Sequence, residues 1–179
     1  MNQPDTVIRK VNRQDAELLA DLGRRAFYEA FSGQTAPHDM EAYLRSTFSI
    51  NKIQTELDEQ DSLYLIADLH DNPAGYAYLS KVQPPACIDD PDAIQLTRLY
   101  LLRKCYGLGV GNSLMRACLD ESRARGFQTV WLSSWELNDR ANAFYDRWNF
   151  KAVGRQKFAV GNDIQNDVIL KRDLVWNST

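Results

Sequence analysis

The sequence has only two histidines and three cysteines in 179 residues, and neither set is spaced to hold a metal. His38 and His70 stand far apart, and Cys87, Cys105 and Cys118 are odd in number with no CxxC pair, which excludes a zinc site or a disulfide framework. No apolar run approaches the ~18 residues that a membrane span needs. The polar start, Met1 to Lys10, has no apolar segment of the kind that directs secretion. Lysine and arginine number 21 against 24 aspartate and glutamate, are scattered, and leave a net charge of −3, so there is no basic footprint for nucleic acid. Repeats, low-complexity tracts and linkers are also missing. These absences point to one domain over 1–179 in a reducing, cytoplasmic setting, without metal, membrane or nucleic-acid partner.

What is present is an alternation of strand and helix signals. Thr6 to Val11 reads as a strand, and Asn12 caps a helix carrying Ala16, Leu19, Ala20, Leu22 and Phe27 that ends near Phe31-Ser32-Gly33. Pro37 to Phe48 and Ile50 to Glu59 read as two further helices. Ser62 to Asp68 and Ala74 to Val82 flank the turn residues Asp71-Asn72-Pro73 and should pair as a hairpin. After an acidic loop with Asp89, Asp90 and Asp92, a strand runs from Ala93 to Leu102. A helix follows from Val110 to a Gly126 terminus, then a strand from Gln128 to Ser134. Asn138 caps a last helix with Ala141, Phe144, Tyr145 and Trp148 on one face, closed by Asn149. Two strands, Ala152 to Val160 and Ile164 to Leu170, end the chain across Gly161-Asn162-Asp163.

The stretch from Arg98 to Met115 carries the chemistry. An apolar strand passes through Gly107-Leu108-Gly109-Val110-Gly111 into a helix that begins with Asn112 and Leu114 in its first turns. The unpaired N–H groups of a helix's first turn point outward together, and without Cβ atoms an anion can approach them, so the turn is a phosphate cradle.

These residues resemble the Gcn5-related N-acetyltransferase (GNAT) superfamily. Its pyrophosphate motif, Gln/Arg-x-x-Gly-x-Gly/Ala, is matched from Tyr106 to Gly111 with Tyr106 in place of the usual Gln or Arg. Its later motif is matched by Asn138, Ala141, Phe144, Tyr145 and Phe150, with Asn149 in place of a glycine. Trp131 to Ala141 and Asp39 to Leu44 look more narrowly like the PaiA-type spermidine/spermine acetyltransferases. The resemblance implies an α/β fold with a mixed, mostly antiparallel sheet that splays at the glycine turn. It also implies acetyl-CoA as co-substrate and a polyamine or other small amine as the acceptor; members of the family often form homodimers, though no sequence patch compels one here.

By the same resemblance, main-chain N–H groups from Gly107 through Leu108, Gly109, Val110 and Gly111 to Asn112 bind the pyrophosphate, and Asn138 bonds the coenzyme besides capping its helix. Tyr100 and Leu101 pair their backbone with the pantetheine arm, and an N–H near Leu101 polarises the acetyl carbonyl. Tyr145, which pattern alone assigns to the core, becomes the general acid for the departing thiolate. The strand Gln95 to Leu102 lacks the carboxylate that many relatives place there, which leaves Glu136 as the candidate base, or a solvated loop charge. Asp39, Glu41 and the Asp89, Asp90 and Asp92 loop are candidates for attracting a polycation. Trp131 and Trp135 share a strand face, with Trp131 the better fit to the core. Other readings stay open: acetylation of a protein amine or an antibiotic amine, or a regulatory domain that binds acetyl-CoA without turnover.

Overall fold

Helix caps and turn residues set the element boundaries. The computed structural model describes residues 6–174, so part of the Met1–Lys10 stretch and both ends of the 1–179 domain lie outside the described residues. Strand β1 (Thr6–Lys10) leads through a 3₁₀ turn to α1 (Ala16–Phe31), α2 (Pro37–Thr47) and α3 (Ile50–Asp58). Then come β2 (Leu63–Leu69), β3 (Asn72–Ser80), β4 (Ile94–Leu101), α4 (Val110–Ala124), β5 (Thr129–Trp135), α5 (Asp139–Arg147), β6 (Lys151–Val160) and β7 (Asp163–Asp173). Asn12 accepts the Gln14 N–H while Asp15 accepts the Asn12 N–H, a reciprocal cap that fixes the entry to α1. Asn149, at φ +60°, takes the left-handed closing position after α5.

One expected turn is displaced. His70 and Asp71, with φ of +50° and +60°, make the β2–β3 turn by themselves, so Asn72 and Pro73 already belong to β3. A two-residue turn with both φ positive matches the twist of its strands, and Pro73 is tolerated because the ladder is irregular beside its partner Asp68.

The seven strands form one sheet in the order β1-β2-β3-β4-β5-β7-β6. Every neighbouring pair is antiparallel except β4 with β5, whose parallel pairing has only two rungs, Ile94 with Val130 and Gln95 with Trp131. Beyond them the strands part, and the inner edges of Leu96–Leu101 and Leu132–Trp135 stay unpaired with each other. Strands β2 and β3 are buried on both faces, which demands cover on both. Helix α1, with Phe27, packs against Tyr100 of β4 on one face, and α4 supplies Val110, Leu114 and Cys118 to the core.

Under β4 lies a buried charge pair. Arg98 donates to both carboxylate oxygens of Glu56 (2.8 and 2.9 Å) and to the Tyr64 hydroxyl (2.7 Å), and it lies 5.4 Å from the Phe48 ring centre. Burial alone would push the Glu56 carboxyl up, but the bonds and charge of Arg98 outweigh it and hold it below the ordinary carboxylate value. Satisfied in this way, the pair anchors α3 beneath the strand that forms one wall of the cleft.

Candidate active site

The parting of β4 from β5 opens a continuous cavity of about 1110 Å³. At one end is the glycine turn. Gly107 (φ +76°) and Gly109 (φ +86°) hold left-handed conformations that side chains resist, and a Cβ added to either would meet nothing within 4 Å. Gly109 is the N-cap of α4, and the first bond inside that helix is Ser113 N–H to Gly109 C=O at 3.1 Å. The amides of Val110, Gly111 and Asn112 precede that bond and are left as outward-facing donors. The side chain of Leu108 turns to solvent and that of Val110 into the core, so only their main chain can serve the cradle.

The two sequence motifs touch. A Cβ on Gly111 would stand 3.5 Å from the Phe144 ring, and Trp148 Nε1 donates to Asn112 Oδ1 at 3.1 Å, so α5 packs across the start of α4. Asn138 caps α5 by accepting the Ala141 N–H at 3.2 Å, and it also lines the cavity. Arg140 lies with its guanidinium 3.3 Å over the Tyr106 ring, and both are on the cavity wall. This stack places a cation beside the position where the family pattern has Gln or Arg, a compensation that no local motif reveals.

Tyr145 is on the wall too, half-buried, with its ring edge-on to Phe144 at 5.5 Å and to Phe150 at 5.9 Å. Burial pushes its phenol above the ordinary value, with the neighbouring Cys118 adding to the rise. Tyr100 and Leu101 line the cavity from β4. The Tyr100 ring is locked edge-on against Phe27 at 5.6 Å and Tyr76 at 6.0 Å, which leaves its backbone as the accessible part.

The other end of the cavity is walled by side chains distant in sequence: Tyr43 of α2, Gln95 and Thr97 of β4, Ser133 and Trp135 of β5, Gln156 and Phe158 of β6, and Asp167 of β7. Thr97 is an extra residue in β4, since Tyr78 pairs with Arg98 and Leu79 with Leu96, and its hydroxyl meets that of Ser80 at 2.6 Å. Glu136 lies off this wall. Its carboxylate accepts from Asn166 at 3.0 Å and faces Arg155 at 3.9 Å, and it is absent from the cavity lining.

The other expected acidic groups are also elsewhere. Asp39 accepts the Asn162 N–H at 2.9 Å and ties α2 to the β6–β7 turn, while Glu41 pairs with Arg45 on the surface. Asp92 binds Lys81, and Asp89 and Asp90 edge a separate shallow depression with Lys171. Trp131 is buried with Ile88, Ala93 and Ile169, whereas Trp135 reaches the cavity. Sequence reasoning missed Asp167. Its one available signal was a carboxylate at an inward position of β7, two residues before the buried Ile169. Among the described residues, no group of three or more His, Cys, Asp or Glu could hold a metal, and no helix is long and apolar enough to cross a membrane.

Comparison with known proteins agrees with this geometry. The Acetyltransferase (GNAT) family matches residues 21–150. An uncharacterised N-acetyltransferase of Mycobacterium tuberculosis is 30% identical over 161 residues, covering 90% of this chain and 99% of the relative. One of Lactobacillus delbrueckii subsp. lactis is 26% identical over 166 residues, covering 93% of this chain and 96% of its own. The crystal structure of the PaiA N-acetyltransferase from Thermoplasma acidophilum in complex with coenzyme A superposes with a TM-score of 0.76 at 21% identity, covering 94% of this chain and 99% of that one. With a family match that spans the glycine turn, the parted strands and α5, this chain belongs to the acetyltransferase (GNAT) family and is an acetyltransferase.

Proposed function

We propose that the protein transfers an acetyl group from acetyl-CoA directly to the primary amine of a small acceptor. The observation that carries this reading is the meeting of the glycine turn with Asn138, Phe144 and Tyr145 of α5 on one cavity, at the place where β4 and β5 part. The donors at Gly107–Asn112 suit the pyrophosphate, with Arg140, held on Tyr106, adding a cation beside it. The free edge of β4 at Tyr100 and Leu101 suits the pantetheine arm as an added strand and leaves an N–H to polarise the acetyl carbonyl. The PaiA N-acetyltransferase from Thermoplasma acidophilum, crystallised in complex with coenzyme A, has the same fold, which supports this assignment. Tyr145 protonates the departing thiolate, and its raised phenol keeps the proton in place until sulfur needs it.

The acceptor is the finer part of the proposal. Polyamines follow from the resemblance to PaiA-type enzymes, yet the acidic residues expected to draw a polycation are engaged away from the cavity. With those carboxylates off its wall, the cavity favours a small amine that enters by one primary ammonium over an extended polycation. The test is a panel of monoamines, polyamines and amino-terminal peptides with acetyl-CoA, read by thiol release. Turnover of small amines above peptides is expected. Turnover of peptides alone would overturn the acceptor, and coenzyme binding without thiol release for any amine would overturn the enzymatic reading in favour of a regulatory one.

A further inference from the structure

At the acceptor end of the cavity one carboxylate oxygen has no partner among the described residues. Glu29, the other carboxylate on the lining, accepts the Arg103 N–H at 2.6 Å and is occupied. Asp167 is 5% exposed, and its Oδ1 is buried without a hydrogen-bond partner among the described residues. It stands between Trp135 of β5 and Gln156 of β6 in the sheet, one strand away from the gap that β5 leaves toward β4. A buried charged oxygen with nothing to bond is rarely kept unless a ligand completes it.

We infer that Asp167 receives the acceptor's ammonium group and takes its proton. The inference rests on the acetyl-transfer reading above and deepens it. Asp167 accepts one proton from R–NH₃⁺ and passes it to solvent. The freed nitrogen lone pair forms the C–N bond to the acetyl carbon, the C–S bond breaks, and its electron pair leaves on sulfur. Tyr145 gives its proton to that sulfur and recovers the surplus proton from nitrogen, so the products are the amide, the free thiol and the one proton that Asp167 released.

The surroundings favour this role. Burial holds the Asp167 carboxyl above its ordinary value, which makes it a stronger proton acceptor, while the nearby Ser133 hydroxyl acts the other way and keeps the charged form accessible. Tyr43, packed edge-on to Phe158 at 6.1 Å, has a phenol raised mainly by burial, with Arg98 opposing and Asp167 adding to the rise. Tyr43 and Asp167 both line this cavity. The other charges near this end are matched. Arg98 is bound to Glu56, and Lys52 lies 3.5 Å from the same carboxylate, so Asp167 is the carboxylate left for an incoming cation. Trp135, Gln156 and Gln165 are its uncharged neighbours on β5, β6 and β7.

The test compares wild type with Asp167→Asn and Gln156→Lys, using acetyl-CoA with spermidine, n-propylamine and an alanine-initiated peptide. Gln156→Lys leaves Asp167 in place but tethers a competing ammonium across the strand pair, which keeps the question open to experiment if Asp167→Asn folds poorly. Either variant should lower kcat/KM for the best of these amines by roughly 100-fold, within the usual range for losing a positioned base, with acetyl-CoA affinity unchanged by calorimetry. For Asp167→Asn the lost rate should return as pH rises toward the amine's own pKa, because the free amine then arrives already deprotonated. Tyr43 and Arg98 both have raised pKa values and do not titrate in that interval. Unchanged kcat/KM in both folded variants, or a loss in Asp167→Asn that pH does not relieve, would overturn the inference while leaving acetyl transfer standing. A wild type that binds acetyl-CoA but acetylates none of the three acceptors would overturn the acetyl-transfer reading and the inference with it.

Discussion

The two ends of the cavity are built by different means. The glycine-turn end is a main-chain device: Gly107 and Gly109 in left-handed conformations, the first amides of α4, and the free edge of β4. The acceptor end is a side-chain device, assembled from Tyr43 of α2 and, by sheet register, from Gln95, Ser133, Gln156 and Asp167 of four strands. Main-chain donors recognise a feature that every donor molecule shares and tolerate drift in side chains, whereas the side-chain end can change its acceptor without disturbing the fold. The difference teaches where specificity can vary and where it cannot.

The largest expected effect falls on the main-chain end. Gly109→Glu forces a side chain into a left-handed N-cap and adds negative charge at the cradle. The lost charge-assisted bonds and the repulsion between two negative charges amount to about 4 kcal/mol, or roughly 1000-fold in acetyl-CoA affinity by titration calorimetry. Near-normal affinity in the folded variant would dissolve the contrast between the two ends.

Next comes the support shared by both walls. Glu56→Gln leaves the buried Arg98 charge unanswered and should destabilise the protein by about 3 kcal/mol in denaturant unfolding. The folded Glu56 pKa lies below its unfolded value, so its contribution is complete above the ordinary carboxylate range and is lost as pH falls through the lower folded value. The variant should therefore show a flatter fall of Tm on the acid side than wild type. An equally steep acid fall in both would remove Glu56 from the account.

Tyr145→Phe should lower kcat by roughly 100-fold and leave acetyl-CoA affinity alone, which separates the acid at the junction of the two ends from the cradle beside it. Unchanged turnover would return Tyr145 to a packing role. Glu136→Gln, in contrast, should alter kcat/KM by less than about twofold, as surface changes usually do. A larger fall would restore Glu136 as the acceptor-side carboxylate.

The same contrast explains what could be read from the chain. The order of strands and helices, the Asn12 and Asn138 caps and the left-handed Asn149 were legible because each depends on residues a few positions apart. The glycine turn was legible for the same reason, and a second motif at fixed distance made it specific. The β2–β3 turn was misplaced because Pro73 reads locally as a turn residue, while the neighbouring ladder irregularity that admits it into β3 is a property of the pair of strands. Asp167 was illegible because its meaning comes from lining one cavity with Tyr43 of α2, more than a hundred residues away in the chain. Glu136 is legible beside its motif, while its bond to Asn166 and its position off the cavity lining come only from the fold. Arg140 escaped likewise, since only the fold stacks it on Tyr106.

The most direct test of this division of labour is to measure acetyl-CoA affinity and amine kcat/KM side by side in Gly109→Glu and Asp167→Asn. The account predicts that Gly109→Glu loses coenzyme affinity, whereas Asp167→Asn keeps wild-type affinity and loses only turnover of the amine. Coenzyme affinity lost equally in both variants, or retained in both, would contradict it.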